Sequence, residues 1–301
     1  MNVVELQDVT KTFGATVAVN GLSLSVPPGS IYGFIGPNGS GKTTTLRLIL
    51  NFFYADRGSV RVFGKEVGGG TSDRIGYLPE ERGLYRRMKV REFLRFYAGL
   101  KGGNEVTAAV DAWLQRLELA DAANKRIEAL SKGMSQRVQF IAAVAAKPDL
   151  LILDEPFSGL DPVNADVLRQ AVLELRAQGA TVIFSTHDMA VAERMCDFIC
   201  MIFQGRKVLD GTLAAIQDRY GEDTLRVRAE GGAERLRGLE GVEAVDDFGQ
   251  VQVLRLARDR DPQQIIGAVL ARTRVQSFEI ARPSLHDIFV RIATGKEAPH
   301  A

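Results

Sequence analysis

The stretch Gly36-Pro37-Asn38-Gly39-Ser40-Gly41-Lys42-Thr43 constrains this chain more than any other. It fits G-x-x-x-x-G-K-[ST] in full, follows the apolar run IYGFI and opens a segment of helical character, TTTLRLIL. An apolar run stopped by glycine reads as a buried strand. A loop of this kind needs Gly36, Gly39 and Gly41 so that backbone N–H groups can curl around phosphate oxygens with no Cβ in the way. Lys42 then reaches the β and γ phosphates, and the Thr43 hydroxyl is offered to Mg²⁺. The spacing therefore predicts a phosphate-binding loop between a strand and a helix running from Lys42 to about Phe52.

A second motif, LLILDEP at 150–156, is a buried strand whose end presents Asp154 and Glu155. Asp154 is placed to hold Mg²⁺ through water, and Glu155 beside it is free to polarise an attacking water. A carboxylate pair after an apolar strand is ordinarily a solvated strand end; the phosphate loop upstream makes the chemical reading the better one. His187 closes another apolar strand in TVIFSTHD, where a lone histidine is more often a helix-start or core residue. Ser131 in LSKGMSQR raises a similar choice. It stands ahead of a helix expected to start three residues later, and it is either a simple cap or part of an anion site at a helix N-terminus.

Along the chain, VVELQDV, VAVNGLSLSV, SVRVFG and RIGYLP read as further strands, and helical periodicity dominates from Val90 to about Ala146, with Trp113 as a core candidate. Strands and helices then alternate: LLILDE, the helix 162–178, TVIFST, the helix from Asp188, and FICMIF. The pattern implies a mainly parallel α/β sheet with crossover helices, an antiparallel β part at the N-terminal end and a helical subdomain at about 85–146. Beyond residue 220 the order becomes β-α-β-β-α-β plus a helix, a small ferredoxin-like α+β domain over 221–295, followed by a tail at 296–301.

With 301 residues, 46% of them hydrophobic and 25% charged, the chain can bury a core for one large domain and one small one. A formal net charge of +1, from 38 basic and 37 acidic side chains, creates no global field for nucleic acid or anionic lipid. The two cysteines, Cys196 and Cys200, lie in the apolar stretch MCDFICMIF and read as buried thiols of a reducing compartment. Glu5, Asp8 and Lys11 within the first strand argue against a signal peptide, and no apolar run reaches the ~18 residues of a spanning helix.

Taken together, these motifs resemble the nucleotide-binding subunit of ATP-binding cassette (ABC) transporters over residues 1–220. The resemblance implies that GPNGSGKT, with Thr44 after it, is the Walker A loop, LLILDEP the Walker B strand with Glu155 as catalytic glutamate, and Ser158-Gly159-Leu160-Asp161 the D-loop. His187 would be the switch histidine that contacts the γ-phosphate, and Phe13 would stack on adenine. LSKGMSQR is similar to the signature motif; Ser131 and Gly133 match it, while Lys132 and Met134 replace a glycine and a glutamine. In the family two subunits pack head to tail, so the signature of one closes over ATP held by the other. The implied partners are a second nucleotide-binding subunit, in a homodimer or with a related chain, and a separate membrane permease; nucleic acid is not among them. The chain would be cytoplasmic and peripheral on the inner face of the membrane.

A further departure follows RIGYLPEERGLY, where the family's usual glutamine is replaced by Glu80. A carboxylate so near Asp154, Glu155 and three phosphates is expected close to Mg²⁺ or partly protonated. This variant, and the ending PSLHDIF at 283–289, resemble the NatA-like group of bacterial exporters. In that group the segment RGLYRRMKVREF would face the permease; as a bare sequence it also reads as a solvated basic helix start. The rival function is a soluble ABC ATPase of translation or DNA repair. Those usually carry two cassettes or a long coiled coil between the Walker motifs, and this chain has one cassette and no heptads there. A GTPase is disfavoured because Asn124-Lys125 is followed by Arg126-Ile127 and not by a guanine-reading aspartate.

Overall fold

The computed structural model describes residues 1–67, 73–81, 83–102, 106–220, 224–257 and 260–294. The chain divides into two compact units, Met1–Thr212 and a second that begins at Leu213.

The first unit opens with β1 (Val4–Phe13) and β2 (Thr16–Val26), an antiparallel hairpin. Next come β3 (Ile31–Ile35) and α1 (Lys42–Ile49); β4 (Arg57–Val62) and β5 (Lys65–Glu66) then complete a sheet of order β2-β1-β4-β5. After β6 (Ile75–Leu78) the chain turns helical through α2 (Val90–Gly102), α3 (Val106–Arg116) and α4 (Lys132–Val144). It then alternates: β7 (Leu150–Asp154), α5 (Pro162–Ala177), β8 (Thr181–Thr186), α6 (Met189–Met195), β9 (Phe198–Phe203) and β10 (Arg206–Gly211).

The second sheet has the order β10-β9-β3-β8-β7-β6 and is parallel except at β10. Its two faces are covered by different layers. Leu151, Leu153, Val182 and Phe184 join a core with α2 to α5, whereas Leu150, Ile152, Ile183 and Phe34 pack toward α1 and the antiparallel sheet. Strands covered on both faces must be apolar at every position, which is why LLIL and IYGFI read as unbroken runs. The carboxyl ends of β3, β7 and β8 lie side by side, with Ile35 opposite Thr186 and Asp154 opposite Ser185. Crevices at such strand ends are where open α/β sheets bind ligands.

Several elements differ from the sequence expectation. Helix α1 stops at Ile49, short of Phe52, because Asn51 adopts a left-handed backbone (φ 59°) that turns the chain. Trp113 is half-buried at the surface of the helical layer, edge-on to the enclosed Phe140 at 6.0 Å. Helix α4 begins at Lys132, directly after Ser131, and not three residues later.

The second unit starts with α7 (Leu213–Tyr220), which the sequence reading had assigned to the first domain. It continues as β11 (Thr224–Ala229), α8 (Gly232–Leu236), β12 (Val242–Asp247), β13 (Gln252–Leu256), α9 (Pro262–Arg272), β14 (Val275–Ala281) and α10 (Leu285–Ala293). The sheet is antiparallel, of order β12-β13-β11-β14, the arrangement of a split β-α-β fold. Leu225, Val227, Leu254, Ile265 and Val269 form its core. Ser284 and Asp287 cap α10 reciprocally, each side chain bonding the other's backbone N–H. The tail 296–301 lies outside the described residues.

Candidate active site

The loop after β3 is shaped by contacts within the chain. Gly36 N–H donates to Thr186 O at 3.3 Å, tying the loop to the neighbouring strand end. A Cβ on Gly36 would stand 2.1 Å from Ile202 O, and one on Gly41 2.3 Å from Ala18 O. These two glycines therefore answer to neighbouring backbone as much as to a phosphate. Gly39 differs: its side is open, and only its φ of 76° calls for glycine. Pro37 O accepts from Ser40 N–H, while Asn38 and Gly39 are exposed. Among the described residues the N–H groups of Gly41, Lys42 and Thr43 make no backbone hydrogen bond. They are the orphan donors of the N-terminus of α1 and suit an anion. Thr44 lies in the same turn, and Ser40 Oγ is buried with no partner among the described residues.

Lys42 is 6% exposed. Its Nζ donates to Gly36 O (2.7 Å) and Pro37 O (3.1 Å) and stands 3.7 Å from Glu155 Oε1, itself on a side chain 7% exposed. Burial holds the ammonium's pKa below its usual value, opposed by the charges of Glu155, Asp154 and Glu80. Thr43 Oγ1 donates to Asp154 Oδ1 at 3.2 Å, and Ser185 Oγ donates to the same oxygen at 2.5 Å. Asp154 is fully buried, and its Oδ2 has no hydrogen-bond partner among the described residues.

Glu155 has a left-handed backbone (φ 49°), a conformation that costs a non-glycine residue roughly 1–3 kcal/mol and gathers at functional sites. Both ends of the residue are held: Glu155 N–H donates to Ser185 Oγ (3.0 Å), and its carbonyl accepts from Ser158 N–H (3.1 Å). The carboxylate oxygens lie 3.0 and 3.1 Å from His187 Nδ1. An ionised carboxylate only accepts, so Nδ1 carries the proton of that bond. His187 is not the helix start: Asp188 caps α6, accepting from Val191 N–H.

Other residues singled out by the sequence fall around this centre. Glu80 is exposed, and its charge acts on both Lys42 and Tyr77. Phe13 ends β1, 44% exposed and edge-on to Phe53 at 5.2 Å. Ser131 is the N-cap of α4, accepting from Met134 N–H at 3.2 Å; Lys132 is exposed, Gly133 packs against Asn164, and Met134 is half-buried. In the loop after β7, Leu160 N–H donates to Phe157 O and Gly159 has a φ of 63°. Asp161 caps α5, and the bond from Asn164 N–H holds its carboxyl below the usual range. Ser185 was missed from sequence, although a hydroxyl inside the buried strand TVIFST was a signal. Among the described residues no three or more His, Cys, Asp or Glu side chains form a metal cluster, and no helix is long and apolar enough to cross a membrane. Cys196 and Cys200 are free thiols whose pKa values burial raises.

Comparisons with known proteins identify the family. A family profile described as "ABC transporter" matches residues 19–158, and one described as "ATP-binding protein DrrA1-3-like, C-terminal domain" matches 211–293. The chain is 41% identical over 287 residues to an uncharacterized ABC transporter ATP-binding protein, YhaQ, of Bacillus subtilis (strain 168), covering 95% of this chain and 96% of that one. It is 33% identical over 302 residues to the Nod factor export ATP-binding protein I of Rhizobium sp. (strain N33), covering 98% and 97%. A solved structure of an ATP-binding subunit of an ABC transporter superposes with a TM-score of 0.68 at 31% identity, over 73% of this chain and 93% of that one. The chain belongs to the ABC transporter ATP-binding proteins, and its fold and catalytic class are those of an ABC transporter ATPase.

The glycine contacts separate fit from flexibility. Gly36→Ala and Gly41→Ala should each lower the thermal midpoint of the nucleotide-free protein more than Gly39→Ala does, because only the first two drive a Cβ into backbone. Gly39→Ala should cost about 1 kcal/mol, from its backbone conformation alone. Thermal unfolding of the three variants checks this; equal losses would show that conformation, and not close approach, selects all three glycines.

Proposed function

We propose that this ATPase energises export through a separate membrane permease, with ATP held at the loop 36–43 and hydrolysed by Glu155. The observation that carries the reading is the placing of Glu155: a buried carboxylate in a left-handed backbone, held between His187 Nδ1 and Lys42 at the open end of the sheet. Glu155 accepts the proton of the attacking water. His187 fixes the carboxylate through Nδ1 and leaves Nε2 for the γ-phosphate. Lys42 supplies positive charge to the phosphoryl group, and the free N–H groups at the start of α1 take its oxygens. Phe13 offers an exposed ring for adenine.

Mg²⁺ fits the residues present. Asp154 Oδ2 is a buried oxygen without a partner among the described residues, and Thr43 Oγ1 stands beside Oδ1. Thr43 Oγ1 as a ligand, with Asp154 holding the ion through water and phosphate oxygens completing the set, would match the habit of this small hard cation. Bound there, it would neutralise charge on the β and γ phosphates. Glu80 completes this metal environment in the position of the family's glutamine.

Residues 131–134 act on the nucleotide of a second subunit, and 158–161 lie at the same dimer interface. The permease docks in a groove of about 440 Å³ lined by Phe52, Tyr77, Leu84, Phe93 and Tyr97. An apolar, aromatic concavity of this kind suits a short amphipathic helix. Export is favoured by the similarity to the Nod factor export protein, which extends over both units. The chain then works at the cytoplasmic face, bound through its permease.

Two outcomes are expected. Glu155→Gln should retain ATP binding, lose hydrolysis by at least about 100-fold and accumulate as an ATP-bound dimer in size-exclusion chromatography; turnover at the wild-type rate would remove Glu155 as the base. Glu80→Gln should keep hydrolysis and shift the Mg²⁺ concentration for half-maximal rate. An unchanged Mg²⁺ titration would place Glu80 outside the metal environment.

A further inference from the structure

The N-terminal part of α4 meets the residues from Pro156 to Asn164, which follow Glu155, at three places. Gln136 Nε2, buried, donates to Pro156 O at 3.2 Å. Gly133 lies so close to the Asn164 side chain that a Cβ would stand 2.9 Å from it. Between these two anchors lies the tip of the loop, and there the contact is Lys132. The end of its side chain reaches Gly159, where a Cβ would meet Nζ at 2.0 Å and Cε at 2.9 Å. The lysine end thus occupies the space that a side chain at Gly159 would fill. A glycine at 132, as in the family's signature, would leave this side of Gly159 bare.

We propose that Lys132 is a positioning residue for Glu155, acting through Gly159. The physical path is short. Gly159 follows Ser158, whose N–H donates to Glu155 O at 3.1 Å. That bond is one of the two that hold Glu155 in its left-handed conformation, the other being Glu155 N–H to Ser185 Oγ. If the tip lifts, the carbonyl loses its donor and the strained backbone can relax. The carboxylate then leaves its place 3.0 Å from His187 Nδ1 and 3.7 Å from Lys42. The lysine end packed beside Gly159 resists that lift by contact. Because Lys132 belongs to the turn that meets the partner's nucleotide, it also ties that turn to the chain's own catalytic glutamate.

The proposal rests on Glu155 being the base, and the experiment separates the two. In the full-length, nucleotide-free protein, Lys132→Ala should speed amide exchange several-fold at residues 158 and 159, with Lys132→Arg close to wild type. In ATPase assays Lys132→Ala should lower kcat about five-fold with KM for ATP unchanged, since misplacing a catalytic group acts on the transition state. Lys132→Arg should restore most of that loss. Gly159→Ala should also lower kcat, because its methyl displaces the lysine end, and the double variant Lys132→Ala/Gly159→Ala should fall by less than the product of the single effects. Unchanged exchange at 158 and 159, an unchanged kcat in Lys132→Ala, a loss confined to KM, or multiplicative single effects would each overturn the link. If instead Glu155→Gln still turns over, the base assignment fails, whatever the exchange data show for Lys132.

Discussion

Everything at the site depends on one buried arrangement of charge: the Lys42 ammonium among the carboxylates of Asp154 and Glu155, at the ends of strands sealed on both faces. Lys42 and Glu155 are each less than a tenth exposed and 3.7 Å apart. Removing such charges from water costs several kcal/mol per ion, and the cost is met only when partners and hydrogen bonds surround them. The chain provides both. Lysine binds two loop carbonyls, Asp154 takes the hydroxyls of Thr43 and Ser185, and Glu155 takes His187. What stays unmatched among the described residues is informative: Asp154 Oδ2, Ser40 Oγ and the N–H groups at the start of α1 suit a cation and an anion together. Such a cluster, lying at the strand ends, suits the metal and phosphate proposed for it.

The layered architecture follows from the same need. Parallel strands covered on both sides carry the cluster far enough from bulk water for its charges to act strongly on one another. Leu150 and Ile152 face one core and Leu151 and Leu153 the other, so Asp154 emerges at the strand end fully buried. The pairing of β7 with β8 brings Ser185 against both carboxylate residues.

Legibility in the sequence tracks locality. The phosphate loop and the DE pair could be read because each is a contiguous motif whose chemistry needs residues next to one another. Ser185 offers only a hydroxyl inside a buried strand as its signal, since its partners Asp154 and Glu155 reach it through strand register. The start of α4 was misplaced because Lys132-Gly133 looked like linker; in the structure Ser131 caps the helix and Gly133 is inside it, chosen for its closeness to Asn164 and not for freedom. The end of α1 was overrun because apolar periodicity continues through Phe52 and Phe53, while the left-handed turn at Asn51 is a backbone property with a weak signature. Of the second unit, the order of strands and helices is legible in the sequence, and α7 falls outside that reading because nothing in LAAIQDRY says which neighbour it packs against.

The central claim is that the loop 36–43 of one chain and Ser131 of another form one site. In mixtures of Lys42→Ala and Ser131→Arg subunits, each inactive alone, ATP hydrolysis should return and peak near equal amounts, because one of the two sites in the mixed dimer joins an intact loop to an intact Ser131. With subunit exchange verified independently, and tandem-linked dimers carrying one wild-type subunit proving that a single intact site turns over, an absence of activity at every mixing ratio would contradict the claim and leave Ser131 as a helix cap within its own chain.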